Sequence, residues 1–87
     1  MYAVVVRVNI DDESSAETQL RQDVVPRVSQ APGFVAGYWT RKDNSGLSMI
    51  VFDSEEAART AEERVAAGIP EGVTLQGTEV REVVANA

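Results

Sequence analysis

The sequence predicts a single α+β domain with its elements in the order β-α-β-β-α-β, and three observations support that prediction. The chain has 87 residues, of which 44% are apolar and 25% charged, a globular composition with room for one core. Four segments are apolar runs or alternate every two residues, as strands do. Two intervening segments have helical spacing and begin at capping residues. We therefore expect one domain over residues 1–87.

The first strand covers the opening of the chain, residues 2–10. One face carries Tyr2, Val4, Val6, Val8 and Ile10, and the other carries Ala3, Val5, Arg7 and Asn9. The first half of the strand is thus apolar on both faces.

A helix follows, and Ser14 or Ser15 is expected to cap it by accepting a backbone N–H. Glu17 stands three residues after Ser14, which is capping-box spacing. The apolar face consists of Ala16, Leu20, Val24 and Val28. Pro26 lacks the N–H that would reach the preceding turn, so we expect a kink or a short second segment there.

Residues 31–33, Ala-Pro-Gly, end this helix, and residues 34–42 read as the second strand. Residues 43–46, Asp-Asn-Ser-Gly, form a strong turn signal. The third strand is residues 47–52, LSMIVF, which is again apolar on both faces.

The second helix is expected to be capped by Asp53 or Ser54 and to end at Gly68. Its inner face consists of Ala57, Ala58, Ala61 and Val65. The last strand runs from about Val73 to Val84, and its apolar phase shifts by one residue next to Gly77. Such a shift predicts a β-bulge.

This order is the split βαβ or ferredoxin-like pattern, a four-stranded antiparallel sheet with two helices on one face. Two helices cover only one face, yet the other face is also apolar on the two strands that this topology makes central. If these side chains were left in water, each would forgo about 1.5–3 kcal/mol of hydrophobic stabilisation. The sequence therefore predicts a homodimer whose sheets pack face to face, with Val5, Arg7, Met49 and Val51 in the interface.

Three stretches carry a family resemblance: the opening YAVVVRV, the turn APGFVAGYW and the junction MIVFDSEEAARTAEE. With them the chain resembles the dimeric α/β-barrel superfamily, and within it small antibiotic-biosynthesis-monooxygenase-like proteins. The resemblance implies two sheets closed into a barrel and one pocket per subunit between helices and sheet. It also implies a small hydrophobic or aromatic ligand, oxidised without a cofactor in some members.

The haem-degrading members of that group have a triad that this sequence lacks. Their strand Asn and Trp are replaced here by Val6 and Phe52, and their helix His has no counterpart because the chain has no His. These departures from the family pattern disfavour haem degradation.

Tyr38, Trp39 and Arg41 on the second strand are the other candidate ligand contacts, together with Val6 and Phe52. An aromatic pocket with a Tyr donor and an Arg would suit a hydrophobic acid. Tyr38 and Trp39 must point to opposite faces. The alternative therefore places one in the core and the other in the dimer interface.

Two further charged groups have structural interpretations. Arg7 is expected to pair with Glu79 or Glu82 of the last strand or to reach the partner subunit. The acidic run at residues 11–13 could ligate a hard cation, but its place at a helix start favours capping.

Composition excludes several function classes. The chain has neither Cys nor His, so we expect no thiolate or imidazole metal site, no bound cofactor and no Ser–His hydrolysis. Its net charge of −6 disfavours nucleic acid and anionic membranes as partners. No signal peptide or membrane-length apolar run is present in the sequence, so we expect a cytoplasmic protein. Two hypotheses remain: a cofactor-independent enzyme, or a non-catalytic module that binds or senses a small molecule.

Overall fold

The computed structural model describes residues 1–87 as a four-stranded antiparallel sheet with helices on one face. The strands are β1 (Tyr2–Ile10), β2 (Phe34–Lys42), β3 (Ser45–Phe52) and β4 (Val73–Glu82), in the spatial order β2-β3-β1-β4. The helices are α1 (Glu13–Gln19), α2 (Val25–Ser29) and α3 (Glu55–Ala67). A π-helical turn, Leu20–Val24, joins α1 to α2. The predicted ferredoxin-like order, with strands one and three central, is confirmed.

The core lies between the helices and one face of the sheet, which we call the helix face. Val4 opposes Ile50 across β1 and β3, and both side chains are almost completely buried. The buried cluster consists of Val4, Val6, Val28, Ile50, Phe52 and Ala58. It joins α2 and α3 to the two central strands, β1 and β3. The even-numbered face of β1 is therefore the inner one, as predicted.

Residues 13–29 form one continuous helical arm, and its cap differs from the prediction. Asp12, rather than Ser14 or Ser15, has the extended backbone of a cap, and its carboxylate accepts the Ser15 N–H at 3.2 Å. Because the helix starts two or three residues earlier than expected, Glu17 no longer has capping-box spacing. It instead forms an ion pair with Arg21.

The predicted interruption of this arm at Pro26 is confirmed, and its form is a π-helical turn. The Val25 N–H donates to the Leu20 carbonyl, five residues back, instead of four. Pro26 then stands in the first turn of α2, where a missing N–H costs no helical hydrogen bond. The wider turn therefore lets the arm continue through a proline.

The predicted bulge in β4 is also confirmed. Arg7 opposes Gly77 while Val8 opposes Leu75, so Gln76 is the extra residue. The bulge brings Leu75 and Val80 to the same face despite their opposite parity, and both pack against the core.

The remaining boundaries differ slightly from the predictions. β3 begins at Ser45, because the turn uses only Asp43 and Asn44, with Asp43 at φ 55°. Ser54 caps α3 by accepting the Ala57 N–H at 3.2 Å, and Gly68 is its C-terminal cap. β4 ends at Glu82 instead of Val84. The longest α-helix has 13 residues, and none of the helices combines the length and apolarity needed to cross a bilayer.

Candidate ligand-binding cavity

A cavity of about 380 Å³ lies between the helical arm and the helix face of the sheet. The arm contacts the sheet at its C-terminal end, where Val28 is buried in the core. Nearer its N-terminus, Val24 packs against the core and also lines the cavity, and the half-buried Leu20 lines the cavity only. The volume lies within the range of small-molecule sites, roughly 300–1,000 Å³.

Strand residues form the floor of this cavity. Trp39 on β2 opposes Ser48 on β3, which opposes Val6 on β1, so the three side chains form a row across the sheet. Apolar side chains surround the row, namely Val8, Ile10, Ile50, Val65, Ile69 and Val73. The floor is thus apolar, with one indole and one hydroxyl at its centre.

The indole of Trp39 lies over Gly37, two residues earlier on the same strand. A Cβ added at Gly37 would lie 2.9 Å from Trp39 Cη2 and 3.0 Å from Cζ3, closer than side-chain carbons pack. Only a residue without a side chain allows the ring to take this position. Gly37 therefore sets the orientation of Trp39 in the cavity.

Two donors on the floor have no partner in the protein. Neither the Trp39 indole N–H nor the Ser48 hydroxyl is among the side-chain hydrogen bonds of the chain. No fully buried side-chain nitrogen or oxygen lacks a partner, and both residues are half-buried. Both donors are therefore accessible, on side chains that line the cavity.

Four charged side chains surround the mouth of the cavity: Glu13, Glu17, Arg21 and Arg41. Glu13 and Arg41 form an ion pair that joins α1 to β2 across the mouth. Glu17 and Arg21 pair along the arm, with 2.8 Å between Oε1 and Nη2. The hydrogen bond from Arg41 to Glu13 raises the pKa of the guanidinium, with smaller contributions from the charges of Glu13 and Glu17.

The structure separates the five predicted ligand contacts. Val6, Trp39 and Arg41 line the cavity. Tyr38 lies on the opposite face of the sheet, 68% exposed, because it opposes Met49 rather than Ser48. Phe52 is fully buried in the core, where its ring meets that of Phe34 edge-on at 6.2 Å, so it does not line the cavity.

The arm's contribution to the mouth does not follow from local sequence signals. Glu13 has a sufficient interpretation as part of the acidic helix start, and no local pattern marks Glu17 and Arg21 as cavity residues. Spacing gives only a shared face: Glu13 and Glu17 precede Leu20 by seven and three residues, so they share its face of a helix.

The opposite side of the sheet, the open face, carries every predicted interface residue: Val5, Arg7, Met49 and Val51. Tyr38, Met49 and Val5 form a row across β2, β3 and β1. Met49 and the neighbouring Leu47 are each 45% exposed. The open face therefore exposes apolar side chains on β2 and β3, whereas Ala3 and Val5 on β1 are buried in the single chain.

Charged residues border the open face on β4. Glu79 Oε1 accepts from Arg7 at 3.1 Å and from Arg81 at 3.2 Å, which confirms the predicted pairing of Arg7 with the last strand. Arg81, and after it Arg7, lowers the pKa of the Glu79 carboxyl. Glu79 thus accepts from two arginines beside Val5.

Gly37→Ala is expected to displace Trp39 and to change its fluorescence. The new methyl group would push the ring from its position on the floor, at a cost of about 1–3 kcal/mol for overpacking. Trp39 is the only Trp, so its emission maximum and its acrylamide quenching report on this site alone. Gly68→Ala is the matched control, because it lies outside the cavity lining. Unchanged emission and quenching in Gly37→Ala would contradict the role assigned to Gly37.

Comparison with known proteins finds a likeness in structure alone. No family model matches the sequence, and no curated protein matches it. Among solved structures, a dimeric ferredoxin-like protein from an uncultured marine organism is similar, with a TM-score of 0.64 and 15% identity. The alignment covers 100% of this chain and 98% of that one. This likeness shows that the chain has a ferredoxin-like fold along its whole length.

Proposed function

We propose that the protein binds a small hydrophobic or aromatic molecule in the cavity between the helical arm and the sheet. The observation that carries the proposal is the pair of unpartnered donors on an apolar floor, inside a volume of about 380 Å³. Ligand sites typically combine an apolar lining with a few such polar groups that fix orientation. Leu20 and Val24 of the arm face the same space, so a bound molecule would bury them further.

The floor suggests how such a ligand lies. An aromatic or aliphatic body would pack against the Trp39 indole and the surrounding Val and Ile side chains. An acceptor atom on the ligand would receive hydrogen bonds from the Ser48 hydroxyl or the Trp39 N–H. Hydrogen bonds from these two donors would fix the orientation of the ligand and add to its affinity.

Binding without chemistry is the function that the geometry supports best. Proton abstraction needs a base within about 2.6–3.2 Å of the proton that it removes. The floor offers no carboxylate or amine, and the two carboxylates at the mouth are both held by arginines.

Cofactor-independent oxygenation, which the family resemblance implies, is the second candidate. Glu17 lines the cavity and its partner Arg21 is exposed. The Glu17 carboxylate can therefore leave Arg21 and accept an acidic proton from a ligand. Oxygen consumption in the presence of any molecule that binds distinguishes an enzyme from a binding module. Tight binding with no oxygen uptake supports the binding module.

Ser48→Phe is expected to fill the cavity and weaken binding of an aromatic probe by roughly tenfold or more, since the ring would occupy the ligand's place. The probe is 4-phenylbutanamide, titrated into ¹⁵N-labelled protein. In the unaltered protein the single indole cross-peak of Trp39 should shift. Tyr38→Phe is the matched control on the open face and should bind normally. Shifts confined to the open face would overturn the proposal.

We further propose that the protein is a homodimer joined through the open face. Support comes from the exposed side chains of Tyr38, Leu47 and Met49 on the open face, since an exposed apolar surface of this kind normally marks an interface. The similar solved structure is described as dimeric, and it shares the whole length of this chain. Arg7 and Arg81 around Glu79 would then form a charged rim.

A further inference from the structure

We propose that the ligand of this cavity is a small hydrophobic carboxylic acid whose carboxylate binds Arg41 in place of Glu13. The inference rests on the proposed function and specifies its ligand class. Three observations carry it: the free polar groups of the floor, the position of Arg41, and the ion pair across the mouth.

The polar groups on the sheet side of the cavity favour a ligand that accepts hydrogen bonds. The Ser48 hydroxyl and the Trp39 N–H are free donors, and Arg41 supplies a guanidinium. Thr40 also lines the cavity, but its hydroxyl already donates to the Leu47 carbonyl at 2.6 Å. The carboxylates of the site belong to the helical arm alone. A molecule on the floor therefore meets donors and one positive charge, which is the environment of an anion.

The position of Arg41 sets the dimensions of that molecule. Arg41 and Trp39 lie two residues apart on the same face of β2, a separation of about 6–7 Å between their Cα atoms. A ring packed against the indole thus needs a short linker to bring a carboxylate to the guanidinium. Arylalkanoic acids and medium-chain fatty acids have this shape.

Glu13 shows that a carboxylate can occupy the anion position. Its side chain comes from α1 and pairs with Arg41 across the mouth. The Arg41 and Glu13 side chains are 45% and 60% exposed, and ion pairs of that exposure are weak. A ligand carboxylate, held also by its apolar body, can therefore displace Glu13 into solvent. Glu13 therefore competes with an anionic ligand for Arg41. A neutral ligand does not need Arg41 and leaves this ion pair intact.

The test compares 4-phenylbutanoate with 4-phenylbutanamide, which differ in charge and hardly in shape, by isothermal titration calorimetry. The unaltered protein should bind the acid more tightly than the amide. Arg41→Gln should weaken the acid by roughly tenfold, because a charge-assisted hydrogen bond is lost, and leave the amide unchanged. Glu13→Gln should strengthen the acid by about threefold, because the competing carboxylate is gone. Glu55→Gln, which removes the charge of an ion-paired glutamate outside the cavity lining, is the matched control and should leave both affinities unchanged.

Each outcome bears on one proposal or the other. Equal affinity for acid and amide in all variants would overturn the anion assignment and leave the binding function intact. Weaker binding of the acid by Glu13→Gln would also overturn it, since Glu13 would then be holding Arg41 in place for the ligand. Binding of neither probe by the unaltered protein would overturn the proposed function itself. Circular dichroism of each variant confirms folding, and Glu13→Gln tests the idea even where Arg41→Gln unfolds.

Discussion

Met49→Asp is expected to convert the proposed dimer into a monomer of 9.4 kDa at micromolar concentration. Met49 lies at the centre of the open face, between Tyr38 on β2 and Val5 on β1. An aspartate there would be buried between two sheets with no cation opposite it in the same row, where the fourth member is Glu79. An unpaired buried charge typically costs about 3–5 kcal/mol, which is a large part of the free energy of a small interface.

Sedimentation equilibrium over a concentration series gives the direct measurement. Met49→Leu is the matched control, since it keeps an apolar side chain of similar volume and should remain dimeric. Ser14→Asp adds the same charge to an exposed position of α1 and should also remain dimeric. A monomeric unaltered protein would contradict the proposed assembly. A variant that associates as strongly as the unaltered chain would show that another surface forms the dimer.

Most of the fold could be predicted because its signals are local and periodic. The two-residue alternation of β1 places Val4 and Val6 on the helix face and Val5 on the open face, as observed. The phase change next to Gly77 predicted the bulge, since only an extra residue can return two apolar positions of opposite parity to one face.

The orientation of Tyr38 and Trp39 could not be predicted, and the reason is a second irregularity. Phe34 faces the core, and simple alternation from it would bring Tyr38 to the same side. The register between β2 and β3 shifts between Phe34 and Ala36, so the parity of the strand reverses after Val35. Trp39 therefore faces the cavity. No apolar pattern within this strand marks that position.

The mouth of the cavity was missed for a different reason. Glu13 and Arg41 are 28 residues apart and belong to different layers, and each has an adequate local interpretation. Only the packing of the arm against the sheet brings them together. The distance between the arm and the sheet also depends on long-range packing, because Val28 is buried in the core and Leu20 is not.

Phe52→Ala is expected to lower the free energy of unfolding by about 3–5 kcal/mol, the usual cost of removing a buried aromatic side chain. Phe52 is fully buried and opposes Tyr2 on β1 and Phe34 on β2. Its edge-on contact with the Phe34 ring, at 83° between the ring planes, would be lost as well. Small domains have a total stability of about 5–15 kcal/mol, so this single change approaches the limit of folding.

Urea unfolding followed by Trp39 emission measures the loss, at one protein concentration because the proposed dimerisation would make apparent stability depend on concentration. Ser48→Ala is the control: it alters a half-buried floor residue and should cost less than about 1 kcal/mol. The same pair of variants separates packing from binding, because Phe52 lies in the core beside the cavity and Ser48 lies in its lining. Phe52→Ala should therefore lose stability while its folded fraction still binds 4-phenylbutanamide. Ser48→Ala should keep its stability and bind 4-phenylbutanamide more weakly. If Phe52→Ala kept its stability and lost the ligand, Phe52 would be the ligand contact that the sequence alone had predicted.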